Sequence, residues 1–258
     1  ASAPTIYYAC SAHSGMGGQA NTNSAFGSTN TKGSMNSVVS ANQAAGFSIA
    51  TWTGNGAAQS IGHGLSKDLE FLIVKNRENN ASWVTQGFGP NVNDYVYLNN
   101  YDPVQQTTAF QLDITRSNDG TFHYGGSSIG QNGIDYLAYC FHSIENFSRI
   151  GKYVGNASIN GPFTQLGFRP AYIMVRRSDV GSNWYVFDNR RDPNNDLIDI
   201  VMKINLNSAE SPYGDPGQLD FLSNGFKIRR TTVDINANGG TYYYVAFAES
   251  PFKYANAR

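Results

Sequence analysis

Residues Ile49-Ala-Thr-Trp52-Thr-Gly54-Asn55-Gly56 are answered 101 positions later by Ile150-Gly-Lys-Tyr153-Val-Gly155-Asn156-Ala157. Each stretch runs from β-branched and aromatic residues into a Gly-Asn pair, the composition of a strand that ends in a turn. The same spacing places Phe71-Leu-Ile-Val74-Lys75 over Tyr172-Ile-Met-Val175-Arg176, and Trp83 over Trp184. Further on the spacing reads as 108, with Leu98-Asn99 over Leu206-Asn207 and Tyr136-Leu-Ala138 over Tyr244-Val-Ala246, which implies a seven-residue insertion in the second copy. Self-similarity this long, in register at four places, predicts two tandem units. The first spans residues 47–149 and the second 150–258.

Within the copies the pattern is that of strands. Phe110, Leu112 and Ile114 alternate with Gln111, Asp113 and Thr115, the period of a half-buried strand. Asn118-Asp119-Gly120 before Thr121-Phe122-His123-Tyr124 reads as a hairpin, and so does Ser223-Asn224-Gly225 before Phe226. Asn238-Gly239-Gly240 leads in the same way into the aromatic run Thr241 to Phe247. Phe71 to Lys75 and Tyr172 to Arg176 are continuous apolar runs, fit for central strands covered on both faces. Helix is expected only as single turns, within Ser37 to Ala45 and within Asp196 to Lys203. The fold class is therefore all-β: two tandem β-sandwich repeats of jelly-roll or lectin-like kind, with an extended N-terminal arm.

The arm is residues 1–46. After a strand-like Thr5 to Cys10, Ser11 to Asn36 is almost all Ser, Asn, Gly, Thr and Ala, too little apolar surface to order itself alone. It reads as a linker or as a segment laid against a neighbouring subunit. Tyr7-Tyr8-Ala9 and His13-Ser14 faintly match Tyr136-Leu-Ala138 and His142-Ser143, as the tail of an earlier repeat in a longer chain would. Cys10 and Cys140 read as two free thiols rather than a disulfide framework.

Composition removes several function classes. Eighteen basic and 19 acidic residues give a net charge of −1, so there is no basic excess for nucleic acid. No apolar run approaches the roughly 18 residues of a membrane span. Charged residues are 14% of the chain, against roughly 25% in an ordinary soluble domain. No His-Glu-x-x-His pair, Cys-x-x-Cys or phosphate-binding glycine loop is present, so no cofactor and no metal is expected. His63, in Ile-Gly-His-Gly-Leu, reads as a turn residue rather than a ligand. Asn80, Asn146 and Asn156 head formal glycosylation triplets, expected by chance in so Asn- and Ser-rich a chain.

The candidate contact residues come from comparing the copies. Asp188-Asn189-Arg190-Arg191-Asp192 concentrates charge where the first copy has the neutral Gly87 to Asn93. That loop is either a polar site for a sugar, cation or partner, or a turn fastened by its own Arg–Asp pairs, and the second is favoured. Asp188 and Asp192 are also the carboxylate pair a polysaccharide-degrading enzyme would need. Trp83 and Trp184 are expected in the core. Trp52 and Tyr153 beside the Gly-Asn turns, and the cluster Tyr95, Tyr97 and Tyr101, suit contacts to glycans or proteins.

The ordered set Tyr/Trp-x-Gly-Asn, His63-Gly-Leu, an apolar strand ending in Lys or Arg, Trp, and Tyr136-Leu-Ala-Tyr-Cys140-Phe-His142-Ser resembles a known family. It is the tandem β-repeat domain of uncharacterised function in tail-fibre and other virion-associated proteins of tailed bacteriophages. Asp188-Asn-Arg-Arg-Asp-Pro193-Asn and Ala246-Phe-Ala-Glu249-Ser-Pro251-Phe252 fit its last repeat, and the similarity covers about residues 46–252. The resemblance implies a non-enzymatic structural or adhesive virion component. Its expected partners are other virion subunits, further copies of itself, and a host surface glycan or protein. A secreted carbohydrate-binding module is the alternative.

Overall fold

The computed structural model describes residues 5–9, 17–21, 27–91, 93–106, 119–125, 129–191, 198–212 and 218–250. The strand expected around Phe110 to Thr115, and Cys10, Asn118, Asp192 and Asp196, lie outside them. Regular structure in the described part is almost entirely strand, and every pairing between the named strands is antiparallel. Strands β1 (Thr5–Ala9) and β2 (Gly17–Asn21) form a hairpin. Strands β3 (Ser28–Asn30), β4 (Ser37–Asn42), β5 (Phe47–Thr53), β6 (Gln59–Gly62), β7 (Phe71–Asn76) and β8 (Val84–Gln86) follow. Then come β9 (Asp94–Tyr97), β10 (Gln105–Gln106), β11 (Thr121–Tyr124) and β12 (Asp135–Phe141). The second half holds β13 (Ser148–Val154), β14 (Phe163–Gln165), β15 (Pro170–Arg177), β16 (Tyr185–Asp188) and β17 (Ile200–Lys203). It ends with β18 (Ser211–Pro212), β19 (Leu219–Leu222), β20 (Gly225–Ile228), the one-turn helix α1 (Val233–Asn236) and β21 (Thr241–Ala248).

The first large sheet has the order β10-β9-β8-β7-β12-β5-β4-β3, and the second β13-β21-β15-β16-β17-β18. When β5 to β12 are laid against β13 to β18, β20 and β21, the two halves have one strand order. The small sheet β11-β6 has its counterpart in β14-β20, where β19 is added. Each small sheet covers one face of its large sheet. The first core gathers Trp52, Leu72, Val74, Phe122, Tyr124 and Tyr136; the second gathers Tyr153, Ile173, Val175, Phe226, Ile228 and Tyr242. The remaining faces of the two large sheets meet in a third core built on Phe71, Phe88, Met174, Trp184, Val186 and Val245. The molecule is thus stacked sheets, with β7 and β15 central as their apolar runs require.

Three expectations change. Composition assigned residues 1–46 to an arm, yet β3 and β4 extend the first sheet beyond β5, with Val39 opposite Ala50. A short edge strand needs few apolar residues, because its outward positions Ser40 and Asn42 face solvent. Of the two expected helical turns one is present, the 3-10 turn of residues 43–45 capped by the Asn42 side chain, whereas Ile200–Lys203 in the other stretch is a strand. Finally, the spacing after Trp184 is 106 rather than 108, so the insertion is of five residues. Tyr136 pairs with Trp52 and Asn76, as Tyr242 does with Tyr153 and Arg177. Asn99 Oδ1 accepts from Trp83 N (3.0 Å) as Asn205 Oδ1 accepts from Trp184 N (2.9 Å).

Matched turns obey that spacing. Gly54 N and Gly155 N donate to Ile134 O and Gly240 O, and each glycine lies against backbone where a Cβ would come within 2.4 Å and 2.3 Å of a carbonyl oxygen. Two residues on, Gly56 and Ala157 both take positive φ, +80° and +52°, and donate to Gly130 O and Asn236 O. An alanine in this region carries a Cβ penalty of about 1–2 kcal/mol, and glycine returns roughly half of it as unfolded-state entropy. Ala157→Gly is therefore expected to raise the unfolding free energy by about 0.5–1 kcal/mol, read from urea melts, with Gly56→Ala shifting it down by a similar amount.

Candidate functional site

The structure disperses the residues singled out as contacts. Trp52 and Tyr153 point into the first two cores, 4% and 7% exposed, stacked on Tyr136 and Tyr242 at 5.5 and 5.0 Å. They sit at alternate, inward positions of β5 and β13, so nearness to a turn did not bring them to the surface. Tyr95 is likewise buried; its hydroxyl donates to Gln105 Oε1 at 2.7 Å, and burial pushes its pKa up to about 12. Tyr97 is half-buried, and its carbonyl accepts from Trp184 Nε1 at 2.9 Å. Only Tyr101 among these aromatics stands in solvent, 57% exposed, over Gly181.

The charged loop closes on itself. Asp188 Oδ1 accepts the backbone N–H groups of Arg190 and Arg191 (3.0 and 2.9 Å), and Oδ2 accepts Arg191 Nε at 2.6 Å. Burial would raise the Asp188 pKa, but these donors outweigh it and hold the carboxyl below its ordinary value. Arg191 also reaches Glu210 and Val186 O. Asn189 is tied to Glu249 (2.7 Å), which pairs with Arg169 (3.0 Å). Arg190 is exposed. With three of its roughly four acceptor positions engaged, Asp188 keeps little capacity for a sugar hydroxyl or for work as a general base.

A different arrangement opens between the halves. On the second sheet, Lys152, Tyr243 and Arg176 lie side by side across β13, β21 and β15. Arg176, 1% exposed, reaches over to the first half, where its guanidinium donates to the carbonyls of Asn100 and Asp102 and lies 5.2 Å from the Trp184 ring. Burial lowers its pKa to about 10, which nearby Asp102 partly opposes. Lys152 and Tyr243 instead border a cleft of about 390 Å³ whose far wall is the first half's 90–94 and 104–106 loops. In that wall Asp94, 3% exposed, accepts from Asn91 and from Gln106 Nε2 (3.1 Å). Tyr243 is 8% exposed, and its hydroxyl makes no hydrogen bond among the described residues. Burial, then the Asp94 charge, raises its pKa, so it remains a donor.

The first half carries a different pair of side chains at the corresponding place, beside a smaller cleft of about 270 Å³. Its counterparts of Ser178 and Thr241 are Arg77 and Asp135, whose side chains pair at 3.7 Å across the same place. In both halves the first residue's N–H donates to the second's carbonyl, at 2.9 Å (Arg77 to Asp135) and 3.0 Å (Ser178 to Thr241). The second half thus replaces a long ion pair by two short hydroxyls. Tyr243 likewise stands where the first half has Leu137, and Lys152 where it has Thr51. A 106 spacing exposes these differences in the sequence itself; at 108, Tyr243 falls opposite Asp135 and nothing stands out.

No curated protein matches the chain, and no solved structure does. Residues 20–251 match a family model described as a domain of unknown function, DUF7483. With nearly the whole sheet assembly inside that match, the chain belongs to the DUF7483 family.

Proposed function

We propose that this chain is a non-enzymatic structural or adhesive component of a tailed-bacteriophage particle, a tail fibre, spike or capsid-decorating protein, which assembles as a homo-oligomer. The observation that carries the reading is an uncovered sheet face. Among the described residues the second large sheet lies over the β7–β9 side of the first and does not extend over the β5–β12 side. There Trp83, Tyr139 and Phe47 stack in a row at 6.4 and 6.3 Å, half-buried, with Ile49 and Leu137 beside them. The row continues through Phe141 and Phe71 into the third core, at 4.9 and 5.7 Å between rings. A face that runs on into an existing sheet–sheet contact is fitted to a second copy of the same apolar chemistry. The ordered motifs shared with virion repeat domains support the setting, and the common strand order of the halves supports an internal duplication.

Size-exclusion chromatography with light scattering on the native chain is expected to give a closed oligomer, and Tyr139→Lys a monomer that keeps its β spectrum. A native chain that stays monomeric at high micromolar concentration overturns the assembly reading.

A further inference from the structure

We infer that the cleft between the halves is a binding site for a neutral saccharide. Its size falls within the roughly 300–1,000 Å³ of small-ligand sites, at the low end. The lining offers donors and acceptors together. Tyr243 brings a phenol without a protein partner, and Lys152 an exposed ammonium with no ion pair among the described residues. On the opposite wall Gln106 Oε1 is a further acceptor, whereas Asp94 is engaged by Asn91 and Gln106 Nε2 (3.1 Å) and Gln105 by Tyr95 (2.7 Å) and Asp102 (3.3 Å). The charges balance. Asp179 is neutralised by Arg177 at 2.6 Å, which leaves one carboxylate, Asp94, against one amine, Lys152.

That balance selects the ligand. A phosphate or carboxylate ligand would meet the Asp94 carboxylate; a cation would meet Lys152. Vicinal hydroxyls, each both donor and acceptor, match a wall that alternates carboxylate, amide, phenol and amine. The sequence difference between the halves points the same way. Exchange of the Arg77–Asp135 pair for Ser178 and Thr241 removes bulk at this one place and adds polar atoms that a hydroxyl can meet. As the host-contacting site of an adhesive protein, the cleft rests on the proposed function, but saccharide binding and oligomerisation are read separately.

The test is saturation-transfer NMR and titration calorimetry of the full chain against a panel of neutral oligosaccharides, with anionic ones alongside. Light scattering on the same samples reports assembly. At least one neutral oligosaccharide is expected to bind. Tyr243→Phe, which removes one oxygen and no volume, should weaken it about tenfold, as loss of one buried hydrogen bond does. Ser178→Arg with Thr241→Asp rebuilds the first half's ion pair and should abolish binding; should that double variant fail to fold, Tyr243→Phe decides. Binding of anionic sugars only, affinity unchanged in Tyr243→Phe, or no binding across the panel overturns the site, whatever the oligomeric state.

Discussion

Trp184→Ala is expected to lower the unfolding free energy by about 3–5 kcal/mol, and Trp83→Ala by only about 1–2 kcal/mol. The two tryptophans are equivalents, and their immediate chemistry is the same. Each has its N–H held by an asparagine Oδ1 and its carbonyl capped by a backbone N–H, from Leu98 and Ile204. Each has a cation over its ring, Lys75 at 6.0 Å and Arg176 at 5.2 Å. What differs is the neighbour. Trp184 is fully buried in the core between the sheets, against Phe88 at 4.8 Å, with its indole N–H on Tyr97 O. Its removal leaves a cavity, an unpaired carbonyl and an Arg176 guanidinium without its platform. Trp83 faces outward beside Tyr139. Urea melts of both variants, at one protomer concentration below assembly, check the asymmetry; equal losses would mean that sheet–sheet packing is not what separates the two. At concentrations where copies assemble, the Trp83→Ala deficit should grow, because a second copy then covers that face.

The contrast also marks how far the sequence could be read. The apolar runs of β7 and β15 declared central strands, because only a strand covered on both faces tolerates them. The turns at Gly54 and Gly155 were equally legible, since no other residue fits against the facing carbonyls. The register of the last strand was not. Ile204-Asn205-Leu206-Asn207 offers two matches to Leu98-Asn99, and Tyr242-Tyr243-Tyr244 offers several to Tyr136. A shift of two keeps every side chain on the same face, so hydrophobic pattern alone cannot reject it; a shift of one would have been caught. Hydrogen bonds decide it: Gln131 N donates to the Tyr136 hydroxyl as Ala237 N does to that of Tyr242. The cleft was illegible for that reason and for a second. It is made by two halves meeting, and no local signal records which outer face a distant sheet will cover.

Raising the pH should unfold this protein through its tyrosines. Burial pushes the phenols of Tyr95, Tyr124 and Tyr172 up to about 12 from an ordinary 10, and raises those of Tyr136, Tyr153, Tyr242, Tyr243 and Tyr244. A phenol whose folded pKa lies above its unfolded one keeps its proton in the fold after the unfolded chain has lost it. Its stabilisation is therefore whole below pH 10 and is lost as pH rises from about 10 to 12. Each such group removes about 1.4 kcal/mol per pH unit within that window. Arg176 works in the opposite sense, since burial holds its folded pKa, about 10, below that of the unfolded chain, which keeps the extra proton. One arginine offsets one tyrosine; several tyrosines remain. Three at the full slope, less one arginine, still remove about 3 kcal/mol per unit, or about 6 kcal/mol between pH 10 and 12, enough to exhaust the lower end of a typical reserve of about 5–15 kcal/mol. Near-ultraviolet tyrosinate absorbance should thus rise in one cooperative step that coincides with loss of the β signal by circular dichroism. A smooth, non-cooperative titration of all the tyrosines near pH 10, with the β signal intact, would mean that the three cores do not exclude water.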